Sequence, residues 1–139
     1  IRFNRNNITD KGAMCMAQLL QTTGQSGFLS LDELSLNDNP IGFRGMISIL
    51  STIQEYPSSC LQIVNLARCK PSLPVIDMIA LVLASPSRVR VIDVGFTEAA
   101  AKDTAQEPGF AEGLTRLSKA VKTNTDIRSL HLGELPETM

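Results

Sequence analysis

The chain has 139 residues, of which 43% are hydrophobic, and its 13 Lys and Arg side chains nearly balance its 14 Asp and Glu side chains. This length and apolar content suit one domain with a continuous hydrophobic core. The formal net charge of -1, without any run of five or six like charges, gives no reason to expect nucleic acid or an anionic membrane as a partner, since both need a concentrated basic surface.

The first half of the chain alternates predicted strands and predicted helices. A strand is predicted near 1–3, where IRFNRNNI opens the chain, and a second near 33–36, because alternate apolar side chains share one face of a strand. Helical apolar spacing follows each strand, over 11–20 and 42–54. Since residue 1 falls inside the first predicted strand, we expect the sequence to be a fragment of a longer protein.

The second half continues this alternation with one interruption. Strands are predicted near 63–66, 91–94 and 129–132, and helices over 73–84 and 110–122. The most apolar stretch, 74–84, is too short to span a bilayer and contains Asp77, so it is expected to be a buried helix. The segment 98–109 falls outside the pattern and is predicted to be an insertion, either a loop that reaches a partner or else a helix extension or mobile surface loop.

The predicted elements recur at a regular spacing. Each strand contains two apolar residues separated by one residue, and the first of each pair lies at position 1, 34, 64, 92 or 130, in steps of 33, 30, 28 and 38. Units of strand, bend and helix at such a period predict a solenoid, in which each unit buries its apolar face against its neighbours. We therefore expect one α/β domain over 1–139 with about four to five units, its parallel strands on the concave side and its helices on the convex side.

A tight bend is expected after each strand, at the ninth position of the unit. The residues at this position are Asn6, Asn39, Cys69 and Thr97. An asparagine amide suits such a bend because it can bond backbone groups that the strand ladder leaves unpaired.

The three cysteines, Cys15, Cys60 and Cys69, form no CxxC pair and are predicted to be free thiols in a reducing compartment. The only histidine is His131, far from the cysteines in the sequence, so neither a metal site nor a cofactor is expected.

The segment LDELSLNDNPIGFRGMISIL resembles the leucine-rich repeats of the ribonuclease-inhibitor type, whose pattern is LxxLxLxxNxIxxxGxxxLxxxL. The matching positions are Leu31, Leu34, Leu36, Asn39, Ile41, Gly45 and Ile49, with Asn6, Ile8 and Gly12 in the first unit. The resemblance covers essentially the whole chain apart from 98–109. It implies a horseshoe-shaped solenoid that binds other proteins, since the family includes GTPase-activating proteins and regulators of the actin cytoskeleton.

The residue between the two apolar residues of each strand points away from the core and is the main candidate for binding. The candidates are Arg2, Ser35, Asn65, Asp93 and His131, joined on the same face by Glu33 and Asn37. Their polar and varied chemistry is typical of a protein-binding face, although a solvated sheet face without a partner has the same composition. Asp93 and His131 could form an acid–base pair in adjacent units, but an open face does not exclude water, so the chain is predicted not to be an enzyme.

Three functions follow from these patterns. The first is an intracellular, cytoplasmic interaction scaffold that binds a protein partner, rather than a small-molecule substrate, through the concave sheet. The second is a regulatory module similar to the GTPase-activating or cytoskeletal members, with Asn39 or Arg68 presented at a bend. The third is a structural spacer between other functional regions.

Overall fold

The structure, a computed structural model, describes residues 2–26, 31–55, 61–85 and 89–133. Within them the helices and strands are, in chain order, α1 (Asp10–Ser26), β1 (Glu33–Ser35), α2 (Phe43–Glu55), β2 (Ile63–Asn65), α3 (Leu73–Ala84), β3 (Val91–Phe96), α4 (Glu98–Ala105), α5 (Phe110–Thr123) and β4 (Ser129–Gly133). The class of the described chain is therefore α/β, with strands where apolar residues alternate and helices where they recur at helical spacing.

The strands of the described residues form one open parallel sheet in the order β1-β2-β3-β4, which is also their order in the chain. The register pairs Leu34 with Val64, and Ile92 with both Val64 and Leu130. Apolar residues of neighbouring strands thus lie side by side. At the β1 edge, Arg2 makes an isolated parallel bridge with the strand.

Two elements run two or more residues beyond their predicted ends. Strand β3 continues to Phe96, and its register with β4 shifts between Asp93 and Phe96. Helix α1 continues to Ser26, six residues past the predicted end at 20. The bridge at Arg2 stands where a strand was predicted near 1–3, and Ile1 lies outside the described residues.

The strands and helices share one hydrophobic core. Leu34, Val64 and Ile92 are at most 1% exposed, and each such side chain contributes about 1.5–3 kcal/mol relative to an exposed position. Eight of the twelve residues of α3 are buried, as expected for a segment that is apolar nearly all round. The helices pack in the series α1, α2, α3, α5. In the described parts of the chain, none of them combines the length and apolar character needed to cross a membrane.

The segment predicted to be an insertion contains helix α4. Its sequence EAAAKDTA favours a helix, and the Thr97 hydroxyl caps it by accepting a hydrogen bond from the Ala100 N–H at 3.3 Å. Ala101 and Thr104 are at most 3% exposed. The segment therefore packs on the core as a helix, next to β3, and leaves α5 to pack on α3.

Helix α1 also positions the start of α2. The Asp10 carboxylate accepts hydrogen bonds from the backbone N–H of Gly42 at 2.7 Å and of Gly45 at 3.0 Å. A carboxylate at a helix N-terminus satisfies unpaired amides and interacts favourably with the helix dipole. Gly45 permits the close approach, since a Cβ there would lie 2.7 Å from the same carboxylate oxygen and 2.9 Å from the Ala13 Cβ.

Candidate functional site

The strand register brings the main predicted binding residues into a single row across the sheet. Each of them pairs with the next: Arg2 with Ser35, Ser35 with Asn65, Asn65 with Asp93 and Asp93 with His131. We call these five residues the polar row. They alternate along the strands with the buried apolar residues, and neighbouring strands of a sheet lie about 4.8 Å apart.

Three side chains of the polar row each accept a hydrogen bond from a backbone amide of the same strand or the bend after it. Asn65 Oδ1 accepts a hydrogen bond from the Ala67 N–H at 3.1 Å, and Asp93 Oδ1 accepts one from the Gly95 N–H at 2.9 Å. His131 Nδ1 accepts one from the Gly133 N–H at 3.2 Å. The same interaction, with the amide two residues further along, therefore recurs in three successive strands.

The bond to His131 also assigns its tautomer. An accepting Nδ1 carries no proton, so the neutral ring carries its proton on Nε2. Asp93 and His131 lie in adjacent strands, as an acid–base pair requires. Each side chain, however, accepts a hydrogen bond from a backbone N–H. These contacts give both side chains a structural role.

At the Arg2 end of the polar row, the side chains of Arg2 and Ser35 bond neighbouring side chains. Arg2 forms a two-bond ion pair with Glu33, at 3.0 and 3.2 Å. Ser35 is only 3% exposed, and its hydroxyl donates to Asn4 Oδ1 at 2.9 Å. The same Asn4 oxygen accepts the Asn37 N–H at 2.8 Å. Ser35 thus lies in the predicted row but lacks the exposure that a binding residue needs.

A hollow of about 430 Å³ lies beside the other end of the polar row. Its lining residues are Asn37, Ala67, Arg68, Asp93, Gly95, Phe96, Thr97, His131 and Gly133. The hollow exists because the position two residues after the polar row carries Ala67, Gly95 and Gly133 in successive strands, and these residues have at most a methyl side chain.

The bend at Asn39 is the most completely bonded of the predicted bends. Asn39 Oδ1 accepts the backbone N–H of Asn6 at 2.8 Å and of Ile8 at 3.0 Å, both from the preceding unit. Its Nδ2 donates to the carbonyl oxygens of Phe3 and Leu36, each at 2.9 Å. Asn39 is 2% exposed. Asn39 is therefore structural. The regulatory hypothesis requires an Asn39 side chain that is exposed to a partner, and this side chain is buried.

Cys69 occupies the equivalent bend of the next unit and has a similar role. Its thiol donates to the Leu36 carbonyl oxygen at 3.3 Å, and it is 4% exposed. Burial raises the pKa of the Cys69 thiol, while hydrogen bonds from the backbone of Asn39 and Ile41 oppose the rise. Cys69 and the exposed Cys15 are both free thiols. Cys60 lies outside the described residues.

The remaining predicted bends differ from Asn39. Thr97 is exposed and caps α4 instead of bonding the preceding unit. Asn6 is also exposed, and its Nδ2 donates only locally, to the Asn4 carbonyl oxygen at 3.1 Å. The interaction between units is thus strongest at the two buried bends, Asn39 and Cys69.

A line of alternating charges runs along the bends. Arg5, Asp38 and Arg68 all have left-handed backbone, with φ of 57°, 59° and 56°, at equivalent positions of successive units. Asp38 accepts from Arg68 Nε at 2.7 Å and lies 3.6 Å from Arg5 Nε. The hydrogen bond from Arg68 lowers the pKa of Asp38. Partial burial opposes this effect, and the positive charges of Arg68 and Arg5 add to it. Arg68, which the regulatory hypothesis presents to a partner at a bend, therefore forms an ion pair with Asp38.

Several interactions that shape the site were absent from the predictions. Asn4 and Asp38 bond residues about thirty positions away, and the side chain that caps α2 comes from Asp10, in a different helix. Their pairing depends on the register between units. Among the residues that the structure describes, no three His, Cys, Asp or Glu side chains are grouped so that they could hold a metal ion.

A family model described as "Leucine Rich repeat" matches residues 1–17. These residues contain the bridge at Arg2, the bend at Asn6 and the first half of α1. A comparison with curated proteins gives no match. The family match supports a leucine-rich-repeat protein, and domains of this kind generally mediate protein–protein interactions and are generally non-enzymatic.

Proposed function

We propose that this chain is a protein-interaction domain that binds a protein partner through Asn65, Asp93 and His131 of the polar row and the hollow beside them. The observation that carries this proposal is the fixation of Asn65, Asp93 and His131 by their own backbone amides. Side chains that are already ordered lose little conformational entropy when a partner binds, so such a row is suited to recognition. The leucine-rich-repeat match supports the same class of function.

We further propose that the units are of the ribonuclease-inhibitor type and stack as a solenoid with the polar row on the concave side. Two features support this arrangement: the strands are ordered as in the chain, and Asn39 and Cys69 connect successive units at equivalent bends. The free thiols of Cys15 and Cys69 support a reducing, cytoplasmic compartment.

The function can be tested by affinity capture from native lysate with a double variant, Asn65→Arg with Asp93→Arg. The two arginines place bulk and positive charge in the centre of the polar row. A matched control, Glu112→Arg with Thr115→Arg, makes the same change in net charge at exposed positions of α5. Thermal unfolding by circular dichroism checks that both variants remain folded.

We expect the wild type and the control to retain the same proteins, and the row variant to lose at least one of them. If the folded row variant captures the same proteins in the same amounts, the polar row is not the binding surface. That result would favour the hypothesis that the chain is a structural spacer, in which case partners bind other parts of the protein. A GTPase-activating or cytoskeletal role is a finer form of the same proposal and would be identified by the captured protein.

A further inference from the structure

The hollow beside the polar row contains one side chain that the fold does not use. Asn37 Oδ1 is a buried side-chain oxygen without a hydrogen-bond partner in the described part of the chain. Its neighbours across the hollow, Asp93 and His131, each bond a backbone amide. A buried acceptor without a partner costs stability, and such a group in a native structure calls for an explanation outside the fold.

The acceptors around the hollow favour a hydrogen-bond donor. Asp93 uses Oδ1 to accept the Gly95 N–H, and its Oδ2 has no hydrogen-bond partner among the described residues. Arg68, the cation of the lining, is held away from Asp93 by two contacts with Asp38, at 2.7 and 3.0 Å, although Asp38 also lies 3.6 Å from Arg5. The lining therefore contains a carboxylate oxygen and a buried amide oxygen that no described residue bonds.

We propose that the hollow receives a lysine or arginine side chain of the protein partner, with Asp93 and Asn37 as its acceptors. This inference rests on the proposed function, because it assumes that a protein binds this face. Rotation of the Asn37 amide about χ2, a broad and soft torsion, turns Oδ1 towards the incoming donor. Asn37 Oδ1 has no hydrogen bond to a described residue that this rotation would break.

Other occupants fit the lining less well. An acidic side chain would lie against the Asp93 carboxylate, and like charges at contact distance repel. An aliphatic side chain would cover the Asp93 carboxylate and the Asn37 amide and leave both without hydrogen bonds. A cationic donor satisfies both acceptors together.

The probe for a direct test is Nα-acetyl-lysine N-methylamide, titrated into ¹⁵N-labelled protein. Nα-acetyl-norleucine N-methylamide, which lacks the ammonium group, is the matched control ligand. The readout is the amide chemical shift of Ala67, Gly95 and Gly133, which lie in the floor of the hollow. We expect saturable shifts with the lysine probe, reduced by added salt, and weaker binding of norleucine by about three- to fivefold, as for a partly exposed ion pair.

Two substitutions should change the affinity for the lysine probe in opposite directions. Asp93→Asn keeps an oxygen for the Gly95 N–H but removes the charge, so binding should weaken by about three- to fivefold. Asn37→Asp adds a second carboxylate without removing a hydrogen bond of the fold, so binding should tighten by a similar factor. Equal shifts with lysine and norleucine, absence of saturation, or an unchanged affinity in both variants would overturn the proposal.

The two proposals fail in different ways. If capture of a protein depends on Asn65 and Asp93 but the lysine probe shows no preference for the hollow, the cation pocket is wrong and the binding face stands. If the lysine probe binds as expected but capture is unaffected by the row variant, the proposed function is wrong, and with it the assignment of the cation to a protein partner.

Discussion

At the scale of single residues, the Asn39 side chain supplies hydrogen bonds to backbone groups at a bend, where the pairing of the strands ends. It bonds five backbone groups, the N–H of Asn6 and Ile8 and the carbonyl oxygens of Phe3, Leu36 and Asn37. The Asn37 carbonyl also accepts the Arg5 N–H and the Leu36 carbonyl the Cys69 thiol, but for the other three groups no second partner is recorded among the described residues, and backbone groups away from water need partners. One amide therefore joins two units and completes the bend between them.

Asn39→Ala should destabilise the fold by about 3 kcal/mol, because the N–H groups of Asn6 and Ile8 and the Phe3 carbonyl, all partly buried, lose this partner at once. The matched control is Asn6→Ala, at the equivalent bend, where the side chain is exposed and makes a local bond; it should cost less than about 1 kcal/mol. Chemical denaturation with urea measures both changes. Similar losses in the two variants would show that the connection between units is not the source of the stability.

Asp38 should make the stability depend on pH. The pKa of Asp38 is lowered in the folded protein by Arg68, so the unfolded chain takes up a proton first as the pH falls. The stabilisation is complete above the ordinary aspartate pKa of about 4 and is lost as the pH falls through the lowered value.

The free energy of unfolding should therefore decline less steeply between about pH 5 and pH 2 in Asp38→Asn than in the wild type. Urea denaturation across this range measures the slope. Asp103→Asn, which alters an exposed carboxyl on α4, should keep the wild-type slope. An unchanged slope in Asp38→Asn would mean that the charges at the bends are screened by solvent.

At the scale of elements, the contact between α1 and α2 depends on the absence of a side chain. A Cβ at Gly45 would lie 2.7 Å from Asp10 Oδ1 and 2.8 Å from Ile41 Cγ2. The first atom caps α2, so it cannot move away without losing that cap. The steric cost therefore exceeds the gain of about 1 kcal/mol in helix propensity that alanine offers over glycine.

Gly45→Ala should lower the free energy of unfolding by about 1–3 kcal/mol, the usual cost of an overpacked contact. Gly113→Ala in α5 is the control, since the nearest atom to its Cβ would be Leu73 Cδ1 at 3.1 Å, the end of a flexible side chain. It should remain within about 1 kcal/mol of the wild type. Thermal and urea unfolding give both values, and a stable Gly45→Ala variant would contradict the close packing of α1 on α2.

The elements that could be predicted were those that depend on local patterns. Alternating apolar residues located β1 and β2 within a residue, and the helical stripe over 110–122 located α5. The helix in 98–109 was not predicted as such, because its alanines give no amphipathic stripe and Pro108 and Gly109 resemble a loop. The hollow was not predicted because it arises from small residues, Gly95 and Gly133, that become neighbours only through the register.

At the scale of the whole molecule, extensive contacts between helices join neighbours in the series α1, α2, α3 and α5. The sheet follows the same order, from β1 to β4. A perturbation at one end therefore reaches the other only through the elements between them. Chains with this pattern of contacts open locally at a lower cost than they unfold globally.

Hydrogen exchange measured by mass spectrometry should show this local opening. Gly45→Ala should speed exchange in α1 and α2 and leave α5 unchanged, whereas Leu117→Ala, at a side chain that is 4% exposed, should speed exchange in α5 and in α3, on which α5 packs. An equal increase throughout the chain in both variants would show that the molecule opens as a single cooperative unit.

The bend at Asn39 also has a consequence for the chemical lifetime of the protein. Asparagine side chains deamidate when the backbone nitrogen of the next residue attacks the amide carbon and closes a succinimide ring. Asn39 is followed by Pro40, whose nitrogen carries no hydrogen, so this ring closure is blocked. Deamidation there would place a carboxylate where Nδ2 donates to three carbonyl oxygens. The amide that joins the first two units is thus protected from succinimide-mediated deamidation by the residue beside it.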